Sequence, residues 1–291
     1  MPTLIDLRRR IKSVQNTQQV TKAMKTVSTA KFKKAQRIIH EGRPYWHGTP
    51  ALIWDASRWT DGLGHPLLLP REERRVHVIV LTSDKGLCGA FNSNLLLQVQ
   101  EFLDEKSKTA AVRLILIGKK AVHHFRKQAF PIDRTVGDKT DKLEVDVLRD
   151  IARQLVRLFL YQETDAVYLA FNEFKSVLSP RLNIKRLIPV IPPEQPLHHA
   201  KPGGVVVPAW EPGLRGVLDT LLPRFVEDQI GHAYFESQAA EQAARMMAMD
   251  SASRNAGELI HKYFLVMNKI RQAGITKELL EIMTAVEALK K

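Results

Sequence analysis

Residues 13–36 read SVQNTQQVTKAMKTVSTAKFKKAQ. They contain neither Pro nor Gly and so predict helix, yet the apolar stripe that should run along that helix is interrupted. Just upstream, Leu4, Leu7, Ile11 and Val14 recur at spacings of 3, 4 and 3, the mark of a coiled-coil seam. Gln15-Asn16-Thr17-Gln18-Gln19 then run through the position where the next seam residue belongs. Val20, Ala23, Met24, Val27 and Ala30 are expected to resume the stripe. The helix starts near Pro2-Thr3, a cap followed by a first turn, and reaches at least Glu41 before Gly42-Arg43-Pro44. Beyond that it can continue, kinked, through YWHGTPALIWDASRW.

The other end of the chain answers this one. From Gly213 onward the pattern is helical, with Pro223 the only proline and an expected kink. Residues 224–289 as one helix would extend about 100 Å at about 1.5 Å per residue. Such a helix needs a long neighbour, and the N-terminal helix is the one the sequence offers. AAEQAARMMAM places Ala239, Ala240, Ala243 and Ala244 where two helices can approach closely. The termini are therefore expected to form an antiparallel coiled coil.

Between them the pattern alternates. RVHVIVLT (75–82) reads as a buried strand, SDKGLCGAFN as a turn, and residues 93–106 as a helix. VRLILIG (112–118) is a second strand and residues 119–128 a second helix. LEVDVLRDIARQLVRLFLYQE is an amphipathic third helix, and residues 166–171 and 183–190 are strands. Such alternation predicts an α/β domain with a largely parallel, Rossmann-like sheet. Residues 192–213 hold six prolines (Pro192, Pro193, Pro196, Pro202, Pro208 and Pro212) and read as a linker. The expected organisation is a coiled-coil helix over 1–58, an α/β domain over 75–191, a linker over 192–212 and a second coiled-coil helix over 213–291.

Composition narrows the function. The 291 residues are 44% hydrophobic and 26% charged, an ordinary globular balance, and no apolar run is long enough to span a bilayer. The basic, hydroxyl-containing start lacks the apolar core of a secretory signal and is read as mature sequence. Net charge is +13, concentrated at the start: residues 1–43 carry eleven Lys/Arg against Asp6 and Glu41, a net +9, whereas residues 213–291 carry ten of each sign. A positive terminal helix implies an acidic partner: nucleic acid, anionic lipid or an acidic protein surface. Interleaved aromatics are missing (Phe32 is the only one before Tyr45), which favours a protein partner over nucleic acid.

Candidate chemistry is sparse. The SDKGLCGAFN turn sits where phosphate loops sit but has neither GxGxxG nor GxxxxGK[ST]. Cys88, the only cysteine, fits a reducing compartment and has no His/Asn arrangement that would make it a nucleophile. His123-His124 and His198-His199 are adjacent pairs whose members point apart, not metal-ligand spacing. No catalytic residue, cofactor or metal is expected.

Three stretches carry a resemblance: LRRRIKSVQNTQQVTKAMKTVSTAKFKKAQ, LTSDKGLCGAFNSNL, and ESQAAEQAARMMAMDSASRNAGELI followed by NKIRQAGITKELLEI. Together, in this order across residues 4–283, they closely resemble the gamma subunit family of F-type ATP synthases. The resemblance implies a bent coiled-coil shaft inside a hexamer of alternating alpha and beta subunits. The α/β domain would be a foot meeting the epsilon subunit and the c-subunit ring, with ring rotation turning the shaft and driving the beta sites through different nucleotide affinities. It also implies a non-catalytic, peripheral subunit on the cytoplasmic face of a bacterial plasma membrane. By the same resemblance, Arg271 and Gln272 would hydrogen-bond a loop of a beta subunit. Met24 would pack near Arg245 and an acidic beta segment, and Glu211 would lie near the c-ring loop. On this reading the polar run keeps the shaft from locking at one angle, since each large buried apolar side chain would deepen a well by roughly 1.5–3 kcal/mol. The ending AVEALKK departs from the small apolar residues common in that family, and no second cysteine is present for the thiol switch of chloroplast relatives. The competing reading is an α/β protein, or a nucleic-acid-binding one, with basic helical arms.

Overall fold

The computed structural model describes residues 3–58, 64–137, 145–176, 181–191, 211 and 213–289. Its elements are α1 (Leu4–Arg58), β1 (Arg75–Leu81), α2 (Phe91–Lys106), β2 (Ala111–Ile117), α3 (Lys119–Phe125), β3 (Ile132–Val136), α4 (Val145–Leu160), β4 (Ala166–Glu173), β5 (Arg181–Ile188) and α5 (Leu214–Leu289). The chain forms two compact units, one of residues 1–29 with 245–291, the other of residues 30–244. Most of the Pro-rich segment expected to be a linker lies outside the described residues.

The larger unit is built on a five-stranded sheet in the order β3-β2-β1-β4-β5. β1 pairs in parallel with β2 and β4, β2 in parallel with β3, and β5 closes the far edge antiparallel to β4. Alternation within the strands sorts side chains to the two faces. Ile79, Leu81, Ile115, Ile117, Val167, Leu169 and Phe171 pack against α4 (Ile151, Leu155, Phe159) and the first turns of α5 (Leu218, Leu222, Val226, Ile230). Val76, Val78, Val80, Leu114 and Leu116 turn the other way, onto α2 (Leu95, Val99, Leu103) and α3 (Ala121, Phe125). Strands covered on both faces read as continuous apolar runs, which is why β1 and β2 are plain in the sequence. β3 is not. IDRTV is a short edge strand with alternating half-buried positions, and its Asp133 and Arg134 hide it in a polar stretch.

In the same unit the second half of α1 lies along α5. Phe32, Ala35 and Ile39 pack on Ala239 and Ala243, and the Trp46 ring meets His232 at 4.3 Å between centroids. The residue order rises in one helix as it falls in the other, so the pairing is antiparallel. α1 runs on through Pro44 and Pro50 to Arg58. Gly42 is fitted to this stretch: a Cβ there would stand 2.5 Å from the Trp46 ring, so only glycine lets that indole lie across the preceding turn. Gly118, at φ 99°, lets the chain between β2 and α3 pass the Thr82 carbonyl, from which a Cβ would be 2.3 Å.

One polar cluster is buried beneath α4. His77 on β1 is 3% exposed, so its ring must be satisfied internally. Its Nδ1 lies 2.9 Å from Thr164 Oγ1 and its Nε2 2.9 Å from Asp133 Oδ2, while Arg113 donates to the other Asp133 oxygen at 3.0 Å. Burial pushes the proton affinity of His77 below the ordinary imidazole value, with Asp133 opposing and Arg113 reinforcing it. The unfolded chain therefore binds the extra proton first. Stability is fully present above about pH 6.5 and is lost as pH falls from there toward the folded-state value. His65, lowered by burial in the same way, adds a contribution of the same sign. We expect His77→Gln to flatten, without abolishing, the loss of unfolding free energy between pH 7.5 and 5.5 in denaturant titrations. An unchanged slope would mean that His77 already binds its proton in the fold.

Candidate functional site

The smaller unit starts with a capping box. Asp6 N–H donates to Thr3 Oγ1 at 3.2 Å, and Asp6 Oδ2 accepts from the Thr3 amide and hydroxyl at 3.2 and 2.7 Å. The Thr3 hydroxyl, and then its amide, hold the Asp6 carboxyl below its usual range. Two helical turns on, Leu7 and Ile11 are buried and Val14 is half-buried. Their heptad continues through Gln18, Thr21, Lys25 and Ser28 without a break in spacing; only its chemistry changes. Gln18 Nε2 donates to the Ser253 carbonyl at 3.1 Å, and Gly257 leaves room for that amide, since a Cβ there would be 3.1 Å from it. Thr21 is buried with its hydroxyl turned back to Gln18 O at 2.9 Å, and Ser28 is 2% exposed. Lys25 pairs with Asp250 at the seam edge. Opposite stand Arg245, Met249, Ser253 and Ala256, all buried.

This corrects the expected stripe. Val20 and Val27 are 58% and 56% exposed, and Ala23 and Ala30 are exposed too. Val20 lies two residues past Gln18, about 200° round the helix, so the register set by Leu7 and Ile11 turns it outward. Four residues of the polar run, Gln15, Asn16, Thr17 and Gln19, are exposed, and the fifth, Gln18, is half-buried in the seam. The exposed valines sit instead among Lys22 and the basic residues that give this helix its charge.

α5 outruns its neighbour. α1 begins at Leu4, and every described side chain from Arg271 to Val286 is exposed. Among them Ile275, Leu279, Leu280, Ile282, Met283 and Val286 are each at least half exposed. Apolar surface so contiguous marks an interaction site. No helix of the described residues is long and apolar enough to cross a membrane.

The residues singled out from the sequence fall in three places. Met24 is half-buried at the seam edge and Arg245 is buried in the opposing helix. Arg271 and Gln272 open the bare stretch of α5, 26 residues and about 40 Å of helix rise from Arg245. Glu211, exposed in a bend, belongs to the larger unit. Gln18, Thr21, Ser28 and Ser253 were missed, although counting the heptad onward from Leu4 would have found the first three.

The turn after β1, where doubly wound folds hold phosphates, is filled by its own side chains. Ser83 N–H donates to Asn92 Oδ1 at 3.1 Å, and Asn92 Nδ2 points at Ser83 Oγ and at the Cys88 sulfur, 2.8 and 3.2 Å away. Cys88 and Phe91 are buried against Ala240 of α5. The thiol is closed off from solvent.

The seam assignment is checked by cross-linking. In a Cys88→Ser background, Gln18→Cys with Ser253→Cys should join through a short bis-maleimide within one chain, while Val20→Cys with Ser253→Cys should take up monofunctional maleimide at Val20→Cys without joining. Equal cross-linking of the two pairs would reject the register.

Comparison with known proteins agrees with this arrangement. The family model described as ATP synthase matches residues 3–289. The chain is similar to the ATP synthase gamma chain of Desulforudis audaxviator, 40% identical with all of both chains covered. It is also similar to those of Chlorobaculum tepidum, 41% identical with full coverage of both, and Solibacter usitatus, 43% identical over 99% of each. Among solved structures, its fold resembles a chain of the Euglena gracilis mitochondrial ATP synthase OSCP/F1/c-ring assembly, with a TM-score of 0.65, 20% identity, and 99% and 96% of the two chains covered. A chain of the Tetrahymena thermophila central stalk and c-ring gives a TM-score of 0.59 at 21% identity, covering 80% of this chain and 99% of that one. Matched from end to end by its relatives, the chain belongs to the ATP synthase gamma-chain family.

Proposed function

We propose that this gamma chain is the central rotor shaft of the F1 sector of an F-type ATP synthase, coupling ion-driven rotation of a c-subunit ring to ATP synthesis and hydrolysis at beta-subunit sites. The observation that carries this reading is the bare end of α5: an unpaired, apolar helix end suits a bearing inside a ring of other subunits. The alpha and beta subunits supply that ring, and the epsilon subunit and c ring meet the larger unit. The chain itself contributes no catalytic group and sits peripherally on the cytoplasmic face of a bacterial plasma membrane.

Torque transmission without locking follows from the surface chemistry. Along α1 the outward side chains are mainly lysines, arginines and the polar Gln15, Asn16, Thr17 and Gln19, with Val20 and Val27 among them; exposed ion pairs there are worth about 0–1 kcal/mol. No single angle of the shaft is then much deeper than its neighbours. Arg271 and Gln272 stand at the foot of the apolar stretch, where a guanidinium and an amide can grip a loop of one beta subunit at a time. Met24, at the seam edge near Lys22 and Lys25, faces the acidic beta segment together with the Arg245 region, and Glu211 meets the c-ring loop.

Purification of a tagged chain from its host should bring down alpha, beta, epsilon and c subunits together, and its absence from that assembly would end the proposal. Met24→Lys tests the contact face. An added cation on a flexible stem would favour one angle by roughly 1–2 kcal/mol after desolvation. ATP-driven proton pumping by inverted vesicles should then fall about tenfold relative to hydrolysis, with a steeper temperature dependence of the hydrolysis that remains. Pumping and hydrolysis reduced in equal proportion would place Met24 away from the beta contact. Arg271→Ala with Gln272→Ala should slow hydrolysis by the assembled complex about tenfold, a barrier change of about 1.4 kcal/mol.

A further inference from the structure

A cavity of about 550 Å³ lies between the edge strand β3 and α4, closed on one side by Pro223 of α5. Three arginines line it: Arg134 from the strand, and Arg153 and Arg157 from the helix. Among the described residues Asp150 is the one carboxylate of the lining, and Val156 and Pro223 add apolar surface. Residues 150, 153, 154 and 157 fall on one face of α4, so the helix presents this set as a unit.

Fold stability does not call for the arrangement. Arg153 and Arg157 are like charges at i and i+4, which disfavours a helix unless something lies between them. Arg153 is held by Glu227, its Nε 2.9 Å from Oε1. Arg134 makes a single long contact, 3.4 Å, to the Gln154 side-chain oxygen. The Arg157 guanidinium has no hydrogen-bond or ion-pair partner among the described residues. Among the described residues, Arg134 and Arg157 thus have no carboxylate partner, and both line the same concave space with Val156 and Pro223. Planar guanidinium forks match the oxygens of a phosphoryl group, two at a time. The space is open to solvent and has room for one phosphate or for two linked ones. The cavity shares no residue with the filled turn after β1.

We infer that this pocket is an anion site that takes a phosphoryl group, delivered either as free phosphate or pyrophosphate or on a nucleoside diphosphate. Arg134 and Arg157 hold the phosphoryl oxygens, Arg153 steadies the wall through Glu227, and Asp150 sets the limit on how much negative charge enters. The inference stands apart from the rotor assignment, because it concerns the isolated chain.

The test is calorimetric titration of the full-length chain at low salt with orthophosphate, pyrophosphate and ADP in separate arms. Pyrophosphate should bind saturably, one per chain, with a submillimolar dissociation constant. Arg157→Gln and Arg134→Gln should each weaken it about tenfold, while Arg126→Gln, an exposed basic residue elsewhere, should leave it unchanged. Orthophosphate as tight as pyrophosphate would support a free-phosphate source, and ADP tighter than both a nucleotide source. Should Arg134→Gln lower the thermal midpoint, the exposed Arg157 variant decides alone. No saturable binding in any arm, or binding that survives Arg157→Gln at full strength, overturns the inference.

Discussion

A helix gains little stability in water from its own hydrogen bonds; most comes from the face it buries. α5 has 76 residues, and that requirement organises everything around it. Its first turns are held by the sheet and α4, through Leu218, Leu222, Val226 and Ile230. Ala239 and Ala243 are held by Phe32, Ala35 and Ile39 of α1. In the smaller unit Met249, Ser253 and Ala256 are buried in the seam that Leu7, Ile11 and Gln18 form from the other side. From Arg271 to Val286 none of the described residues covers the helix, and there its apolar residues are left bare.

The two units solve the same pairing problem with different materials. In the larger one aromatic rings fit over alanines: Phe32 meets Phe174 edge-on at 5.1 Å, and Trp46 lies over Gly42 and against His232. Glu236 adds a fixed link by accepting the Phe174 amide at 2.8 Å. Such contacts are stiff because interiors pack as densely as crystals. In the smaller unit Gln18, Thr21, Ser28 and Ser253 carry the middle of the seam. Individual hydrogen bonds there contribute about 0.5–1.5 kcal/mol net, less than a buried leucine, so this stretch is held by geometry more than by depth of burial.

Much of the fold was legible because the physics is local. β1 and β2 are apolar runs bounded by turns, α4 is a strongly amphipathic helix, and the long helical C-terminus announces its need for a partner. β3 escaped because an edge strand buries only half of each residue, and IDRTV carries two charges. The termination of the seam at Val14 was misread for a related reason: apolar residues were sought, so Val20 and Val27 were preferred to Gln18 and Thr21, although the heptad count pointed to the latter. The packing of the turn after β1 rests on tertiary contacts no pattern displays, with Asn92 reaching Cys88 and Cys88 packed on Ala240. The arginine-lined cavity was invisible for the same reason, since Arg134 and Arg157 are brought together only by the packing of α4 beside the edge of the sheet.

Gln18 has a mechanical consequence. Two antiparallel helices joined by uniform apolar heptads can slide past one another by a whole repeat and find nearly the same contacts. One amide aimed at the Ser253 carbonyl, beside a glycine where a Cβ would crowd it at 3.1 Å, weakens that equivalence. A seven-residue slip would replace that glycine by Asp250 or Phe264, whose side chains stand where the amide now lies, and would cost the hydrogen bond, worth about 0.5–1.5 kcal/mol. The amide works as an indexing pin, blocking axial creep in a pair of helices that must bear a twisting load.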